Sequence, residues 1–152
     1  MVEAAPLPLA GIRILDLSAV LSGPIATALL CAQGAEVIKV EAPEGDTSRN
    51  IGPNKGDLSS VFITCNQGKR AITLDLKQPA AIALIHRFLA KADVVLDNFR
   101  PGVMTRLGLD AAELQARYPR LIVASVTGAG PDGPGAGART YDGVVQAQSG
   151  MS

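Results

Sequence analysis

Four segments place polar or charged side chains directly after short apolar runs that are typical of strands. They are Ser18–Gly23, Glu41–Asp46, Asn98–Gly102 and Thr127–Arg139. Ligands of open α/β sheets bind outside the carboxyl ends of the strands, so these segments are candidates for one site. The first, in SAVLSGP, lacks the GxGxxG pattern, which disfavours an NAD-type enzyme. It can still start a helix whose amino end attracts anions, although on this motif alone an ordinary tight turn is the favoured interpretation.

The segment DNFRPGVMTRLGL carries groups that would suit a nucleotide-containing ligand. Arg106 could pair with phosphate groups, and Phe99 could cover an adenine ring or a pantetheine arm. Charge-assisted hydrogen bonds of this kind contribute about 1.5–3 kcal/mol each. The residue types alone also fit a reading in which Arg100 and Arg106 are solvated surface residues.

Two other groups of residues leave their role open. Asp142 follows Tyr141 after a glycine-rich loop, where its carboxylate could do acid/base chemistry or cap a helix. Lys69, Arg70 and Lys77 surround a predicted strand, and we interpret them as an exposed basic rim. That rim would gain functional meaning only by clustering with Arg106 on one edge of the sheet.

Composition excludes several classes of function. Fourteen basic and fourteen acidic residues cancel, so no overall field would attract nucleic acid or an anionic membrane. Cys31 and Cys65 stand without a second pair, which disfavours zinc, and no metal site is predicted. His86 is the sole histidine and lies mid-helix, so a structural role is expected. The start lacks a signal peptide's basic region and no apolar run could span a bilayer, so we expect a cytoplasmic protein.

Apolar periodicity predicts the elements that position these residues. Strands are expected over 12–17, 36–41, 71–74, 93–97 and 121–126. Helices are expected over 24–33 and 79–92, from Asp110 to about Arg117, and from about 141 onward, while 42–60 is predicted to be a long loop. Alternating strands and helices predict an α/β, doubly wound, mostly parallel sheet with helices on both faces.

Five strings together resemble a known family. LAGIRILDLSAVLSGP, GAEVIKVEAPEGD, CNQGKRAITLDLK, KADVVLDNFRPGVMTRLGL and YPRLIVASVTGAG occur in the order found at the start of class III CoA-transferases. That family includes formyl-CoA transferase, the carnitine and bile-acid CoA-transferases and the α-methylacyl-CoA racemases. The resemblance runs from about Leu9 to the end. It implies that residues 1–152 are the amino-terminal part of a large, Rossmann-like, CoA-binding domain, with the remainder of the family's chain absent.

The resemblance also implies residue roles and partners. The residues that match CoA contacts of the family are Ala19, Val20, Leu74, Lys77, Asn98, Phe99, Arg106, Leu107 and Arg139. Coenzyme A would be a substrate rather than a tightly bound cofactor. The other substrates would be an acyl-CoA and a carboxylic acid, and full-length subunits would form an interlaced homodimer.

The implied chemistry is covalent. In the family, an Asp carboxylate attacks the acyl-CoA thioester to give a mixed anhydride, and CoA then returns to give an enzyme–CoA thioester. That Asp would lie shortly beyond Ser152, so no catalytic residue is assigned within the chain. Tyr141 and Asp142 are expected near the active site, and the isolated chain is expected to be inactive.

Two departures from the family pattern separate the alternatives. Leu21 stands where some transferases carry Gln, so one active-site amide is missing. Tyr141 stands where racemase relatives carry a catalytic His, and a phenol with an ordinary pKa of about 10 is a poor acid/base substitute. The sequence therefore favours a CoA-transferase over a racemase-like isomerase. A non-catalytic CoA-binding half of a split enzyme is the remaining alternative.

Overall fold

A computed structural model of the chain describes residues 5–56, 58–130, 132–136, 138 and 140–151. Within these residues the elements are, in chain order, β1 (Arg13–Asp16), α1 (Ser22–Ala32), β2 (Glu36–Glu41), a 3-10 helix (Thr47–Asn50), β3 (Asn54–Lys55), β4 (Leu58–Ser59), α2 (Ser60–Asn66), β5 (Arg70–Thr73), α3 (Pro79–Leu89), β6 (Val94–Asp97), α4 (Val103–Arg106), α5 (Ala111–Arg117), β7 (Ile122–Ser125) and α6 (Asp142–Ser149).

Five strands form one parallel sheet in the order β5-β2-β1-β6-β7. Leu15 of β1 is paired with Ile38 of β2 on one side and with Val95 of β6 on the other. The chain adds β2 and β5 on one side of β1, and it then adds β6 and β7 on the other side. This arrangement confirms the predicted doubly wound sheet, and it creates a switch point between β1 and β6 where such folds bind ligands.

Helices cover both faces because successive strand residues point in opposite directions. Leu15 and Val95 belong to a core that also contains Ile85 and Leu89 of α3 and Leu114 of α5. The neighbouring residues Ile14 and Val37 belong to a second core, against which Leu30 of α1 packs. Strands buried on both faces explain the nearly continuous apolar runs in the sequence.

Several local signals act as predicted. Asp110 caps α5, where its carboxylate accepts a hydrogen bond of 3.0 Å from the Ala112 amide. Gly34 follows α1 with a φ of +104°, a conformation that favours glycine. His86 contacts Tyr118, with 3.1 Å between its Nδ1 and the phenol oxygen.

In the described part of the chain, no helix is long and apolar enough to cross a bilayer.

The predicted loop over 42–60 contains more structure than its composition indicates. It includes the 3-10 helix and the antiparallel β3–β4 hairpin, and it leads directly into α2, which the sequence pattern did not predict. The side chain of Ser59 caps α2 by accepting a 2.8 Å hydrogen bond from the Phe62 amide. Tertiary contacts thus define a helix where the β-branched and aromatic residues of SVFITCN weaken the local signal.

Candidate functional site

A cavity of about 380 Å³ lies at the carboxyl ends of β5, β2, β1 and β6. It is lined by four stretches of chain that are distant in sequence, namely residues 17–19, residues 39–47, residues 74–77, and the group Phe99, Val103 and Leu107. Its volume falls within the range of about 300–1,000 Å³ typical of small-molecule sites. The position is the one at which the sheet order predicts a ligand.

Five residues predicted from the sequence line this cavity together. They are Ala19, Leu74, Lys77, Phe99 and Leu107. They come from the segments that follow β1, β5 and β6 and from the end of α4, and the sheet brings them to one edge. Apolar surface on one side and a lysine at the exposed rim give the cavity an amphipathic lining.

The other four predicted contact residues lie elsewhere. Val20 is 39% exposed and adjoins the cavity through Ala19. Asn98 is partly buried and hydrogen-bonds the Ala19 backbone. Arg106 is exposed on α4, the helix that also supplies a residue to the cavity lining. Arg139 lies outside the described residues.

Tyr141 and Asp142 stand at the start of α6. The Tyr141 side chain is exposed, and its phenol oxygen lies 3.5 Å from the Arg100 guanidinium, which joins this pair to the segment after β6. Asp142 is the first residue of α6, where a carboxylate is favoured by the helix dipole. Its Oδ2 accepts a 2.6 Å hydrogen bond from Gln146. Asp142 therefore stabilises the helix amino end.

Two buried ion pairs lie close to the cavity. The Lys39 ammonium is 2.8 Å from Oδ2 of Asp46, and the Lys69 ammonium is 2.9 Å from Oδ2 of Asp16. All four side chains are 2% exposed or less. Our interpretation of Lys69 as part of an exposed rim is therefore wrong. Its charge is buried because a carboxylate 53 residues earlier in the chain compensates it.

Neighbouring charges set the ionisation of this region. Burial alone would raise the pKa of Asp46, but the Lys39 ammonium and a hydrogen bond from the Ser48 amide outweigh it and hold the pKa below its usual value. Glu41 follows the same pattern. Burial would raise its pKa, but the hydrogen bond and positive charge of the Arg49 guanidinium lower the pKa below its usual value. Burial lowers the pKa of Lys69 despite the charge of Asp16.

Lys39, Glu41 and Asp46 are structurally central residues to which the sequence analysis gave no individual role. Lys39 interrupts the apolar strand EVIKVE, and a charge inside a buried parallel strand requires a partner. The acidic and hydroxyl residues of EGDTS immediately downstream offer that partner. The rule about strand ends selected Glu41–Asp46 as a segment, but it could not show which carboxylate reaches the lysine.

The fold and cavity define a doubly wound α/β protein with a small-molecule site at its switch point. Comparison with known proteins gives the family: residues 9–152 match CoA-transferase family III, and the chain belongs to that family. This finding confirms the resemblance noted in the sequence.

Two curated relatives illustrate the similarity. The chain is 46% identical over 145 residues to acetyl-CoA:oxalate CoA-transferase of Acetobacter aceti, covering 95% of this chain and 37% of that protein. It is 44% identical over 152 residues to succinate–glutarate CoA-transferase of Agrobacterium fabrum, covering 95% of this chain and 38% of that protein. The chain therefore spans little more than a third of the length of these relatives.

Solved structures agree with the fold. A CAIB/BAIF family protein from Brucella suis has a TM-score of 0.91 at 40% identity, over 97% of this chain and 40% of that one. A hypothetical protein from Mycobacterium tuberculosis has a TM-score of 0.88 at 43% identity, over 95% and 40% of the two chains. A putative betaketoacyl-ACP reductase, 15% identical with a TM-score of 0.52 over 94% of this chain and 65% of that one, shares the fold alone.

Proposed function

We propose that this chain supplies the CoA-binding part of an enzyme that transfers CoA from an acyl-CoA to a carboxylic acid. The observation that carries the proposal is that five residues matched to CoA contacts, drawn from distant segments, line a single cavity. Phe99, Leu107 and Leu74 provide apolar surface suited to a pantetheine arm. Lys77 at the rim, and the exposed Arg106 on α4, suit phosphate groups.

In the proposed chemistry, CoA is a substrate that passes from the donor acid to the acceptor acid by way of an Asp carboxylate of the enzyme. A catalytic Asp beyond Ser152 attacks the thioester carbonyl, so a carbon–oxygen bond forms and CoA leaves as the thiolate. The thiolate then attacks the Asp carbonyl of this anhydride, which releases the donor acid and leaves CoA on the enzyme as a thioester. The acceptor carboxylate then attacks the Asp–CoA thioester and displaces CoA as the thiolate, which gives a second mixed anhydride. The thiolate attacks the acceptor's carbonyl in that anhydride, which yields the new acyl-CoA and frees the Asp carboxylate.

The remaining expectations belong to the same proposal. Tyr141 and Asp142 lie near the reacting groups, Arg139 adds a basic contact to CoA, and the full-length subunits form an interlaced homodimer in the cytoplasm. Relatives whose names specify oxalate, succinate and glutarate favour a small dicarboxylic acid as one substrate.

Calorimetric titration and a transfer assay on the full-length gene product test the proposal. We expect CoA to bind, and label to pass from acetyl-CoA or succinyl-CoA to oxalate or glutarate. Absence of CoA binding would contradict the proposed function. Exchange of the proton α to the thioester of a 2-methylacyl-CoA, without transfer, would indicate the racemase-like alternative.

Arg106→Ala tests the phosphate contact. We expect CoA binding to weaken about tenfold, as for the loss of one charge-assisted contact of about 1.5 kcal/mol, with the melting temperature unchanged. Arg120→Ala is the matched control, because Arg120 is also exposed but precedes β7, at the amino ends of the parallel strands and away from the cavity at their carboxyl ends. Equal CoA affinity in the two variants would refute the assignment of Arg106.

A further inference from the structure

The loop after β1 is held through its backbone at three successive residues. The Lys39 ammonium donates a 2.8 Å hydrogen bond to the Ser18 carbonyl oxygen. The Asn98 side chain accepts from the Ala19 amide at 2.9 Å and donates to the Ala19 carbonyl oxygen at 2.7 Å. The Val20 amide donates to Oδ1 of Asp46 at 3.0 Å. Three side chains thus satisfy four backbone groups of this loop.

The contacts surround a strained residue. Val20 has a φ of +67° and is the only residue other than glycine with a positive φ in the described part of the chain. A β-branched residue is disfavoured in the left-handed region, so other interactions must hold it there. The partly exposed Val20 side chain contributes little packing that could do so. The hydrogen bonds to the backbone of 18–20 are therefore what maintains the conformation.

Asn98 is placed to act on the loop rather than on a ligand. Among the described residues that line the cavity, Ala19 and Phe99 are present but Asn98 is absent. Its amide oxygen is bonded to the Ala19 amide, and its amide nitrogen is bonded to the Ala19 carbonyl. The amide nitrogen also lies 3.5 Å from Oγ of Ser22, so contacts within the protein use three of the four hydrogen bonds that an asparagine side chain can make.

We infer that Asn98 is a positioning residue that acts on bound CoA by keeping the 18–20 loop in its strained conformation, with Ala19 in the cavity wall. This inference rests on the proposed CoA-binding function. Without the Asn98 contacts, the strain at Val20 favours a relaxed loop, and the fraction of molecules with a formed cavity falls. Apparent CoA affinity falls by the same fraction.

Relief of the strain should compensate for the loss of Asn98. Glycine adopts a positive φ without a steric penalty, so Val20→Gly makes the native loop conformation easier to populate. We expect Asn98→Ala to weaken CoA binding about tenfold when Val20 is present. In the Val20→Gly background the same change should weaken it less than threefold. The four proteins of this double-mutant cycle are titrated with CoA as full-length gene products.

The loss of CoA affinity caused by Asn98→Ala, compared with and without Val20→Gly, distinguishes a positioning role of Asn98 from a direct contact with CoA. An equal loss of affinity in both backgrounds would overturn the inference, because a direct contact with CoA cannot be restored by a glycine at position 20. Any direct contribution of the Val20 side chain cancels from this comparison. The cycle therefore reads only the coupling between the two residues.

Hydrogen exchange of peptides that cover 17–21 gives a readout without ligand. Asn98→Ala should speed exchange of these amides, and Val20→Gly should reduce that effect. If the unmodified protein does not bind CoA, the proposed function fails while exchange still decides whether Asn98 holds the loop. Unchanged exchange in Asn98→Ala would overturn the inference even if CoA binds.

Discussion

Gly23, in the first turn of α1, packs closely against Ser18 of the loop after β1. A Cβ atom built there would lie 2.3 Å from both Cβ and Oγ of Ser18 and 3.0 Å from Leu96. Ser18 cannot move away easily, because its amide and hydroxyl both bond to the buried Asp16 carboxylate. Glycine at position 23 is therefore required for close packing, independently of any ligand.

Gly23→Ala should destabilise the protein by about 1–3 kcal/mol, the usual cost of overpacking a tight site. Gly143→Ala is the control, because Gly143 lies in α6 with no atom within 4 Å of the added Cβ. The control should be neutral or slightly stabilising, since alanine favours helix. Urea denaturation of both variants measures the difference, and equal stability would contradict the close approach.

The lowered pKa of Asp46 predicts that the free energy of unfolding falls at acid pH. Its pKa is lowered in the folded state, so it contributes stability above its unfolded pKa of about 3.9, and this stability is lost as the pH falls through the folded value. Asp46→Asn should remove part of that acid dependence. At neutral pH it should cost about 3–5 kcal/mol, because Lys39 keeps a buried, uncompensated charge.

Glu44→Gln is the control for Asp46→Asn, because Glu44 lies in the same segment but is exposed. The free energy of unfolding, measured by urea titration between about pH 3 and pH 7, should be unaffected by this control. A pH profile of Asp46→Asn parallel to that of the unmodified protein would refute the role given to the Asp46 carboxylate.

At the scale of elements, α2 shows how tertiary contacts define a helix that local sequence does not predict. Its cap residue Ser59 is buried and bonds in two directions, accepting from the Phe62 amide and donating to the Ser48 carbonyl oxygen. One side chain thus attaches the start of α2 to the 3-10 helix. Through Asp46, which caps that 3-10 helix, the same contacts extend to the loop after β1.

Ser59→Ala should therefore cost more than the loss of an ordinary helix cap. We expect about 2–3 kcal/mol, because the buried Ser48 carbonyl also loses its partner. Asp110→Ala, which removes the cap of the more exposed α5, should cost about 1 kcal/mol. Equal losses in denaturant titrations would mean that the bond to Ser48 contributes nothing.

At the scale of the whole molecule, α1 and α6 each carry exposed apolar side chains. Leu21 at the start of α1 and Ile25 and Leu29 along it are 45%, 38% and 60% exposed, and Val144 and Val145 of α6 are each 41% exposed. The chain also spans little more than a third of its curated relatives. These faces are candidates to be covered in a longer polypeptide or an assembly.

The 152-residue chain expressed alone should self-associate, bind CoA weakly and transfer no CoA. Light scattering, calorimetry and the transfer assay measure the three properties. Leu29→Lys should reduce self-association, whereas Gln33→Lys, which adds the same charge near the end of α1 without removing apolar surface, should not. A stable monomer with robust turnover would contradict this expectation.

Much of the architecture is determined by the sequence itself, because the signals are local. The apolar run of β2, the pattern of α3 and the Asp110 cap of α5 each depend on residues within a few positions of one another. Their alternation predicts the parallel sheet, and the rule of strand ends predicts where the site lies. Five ordered strings also sufficed to identify the family.

Only the tertiary structure decides how the site residues are used. Asp16 and Lys69 pair across 53 residues, and Asn98 reaches Ala19 across 79, so no local pattern reveals either contact. For this reason Lys69 was misinterpreted as exposed, and the bonds of the Asn98 amide to Ala19 became visible only in the fold. The sequence specifies which groups are present at the strand ends, whereas folding determines which of them compensate one another and which face the cavity.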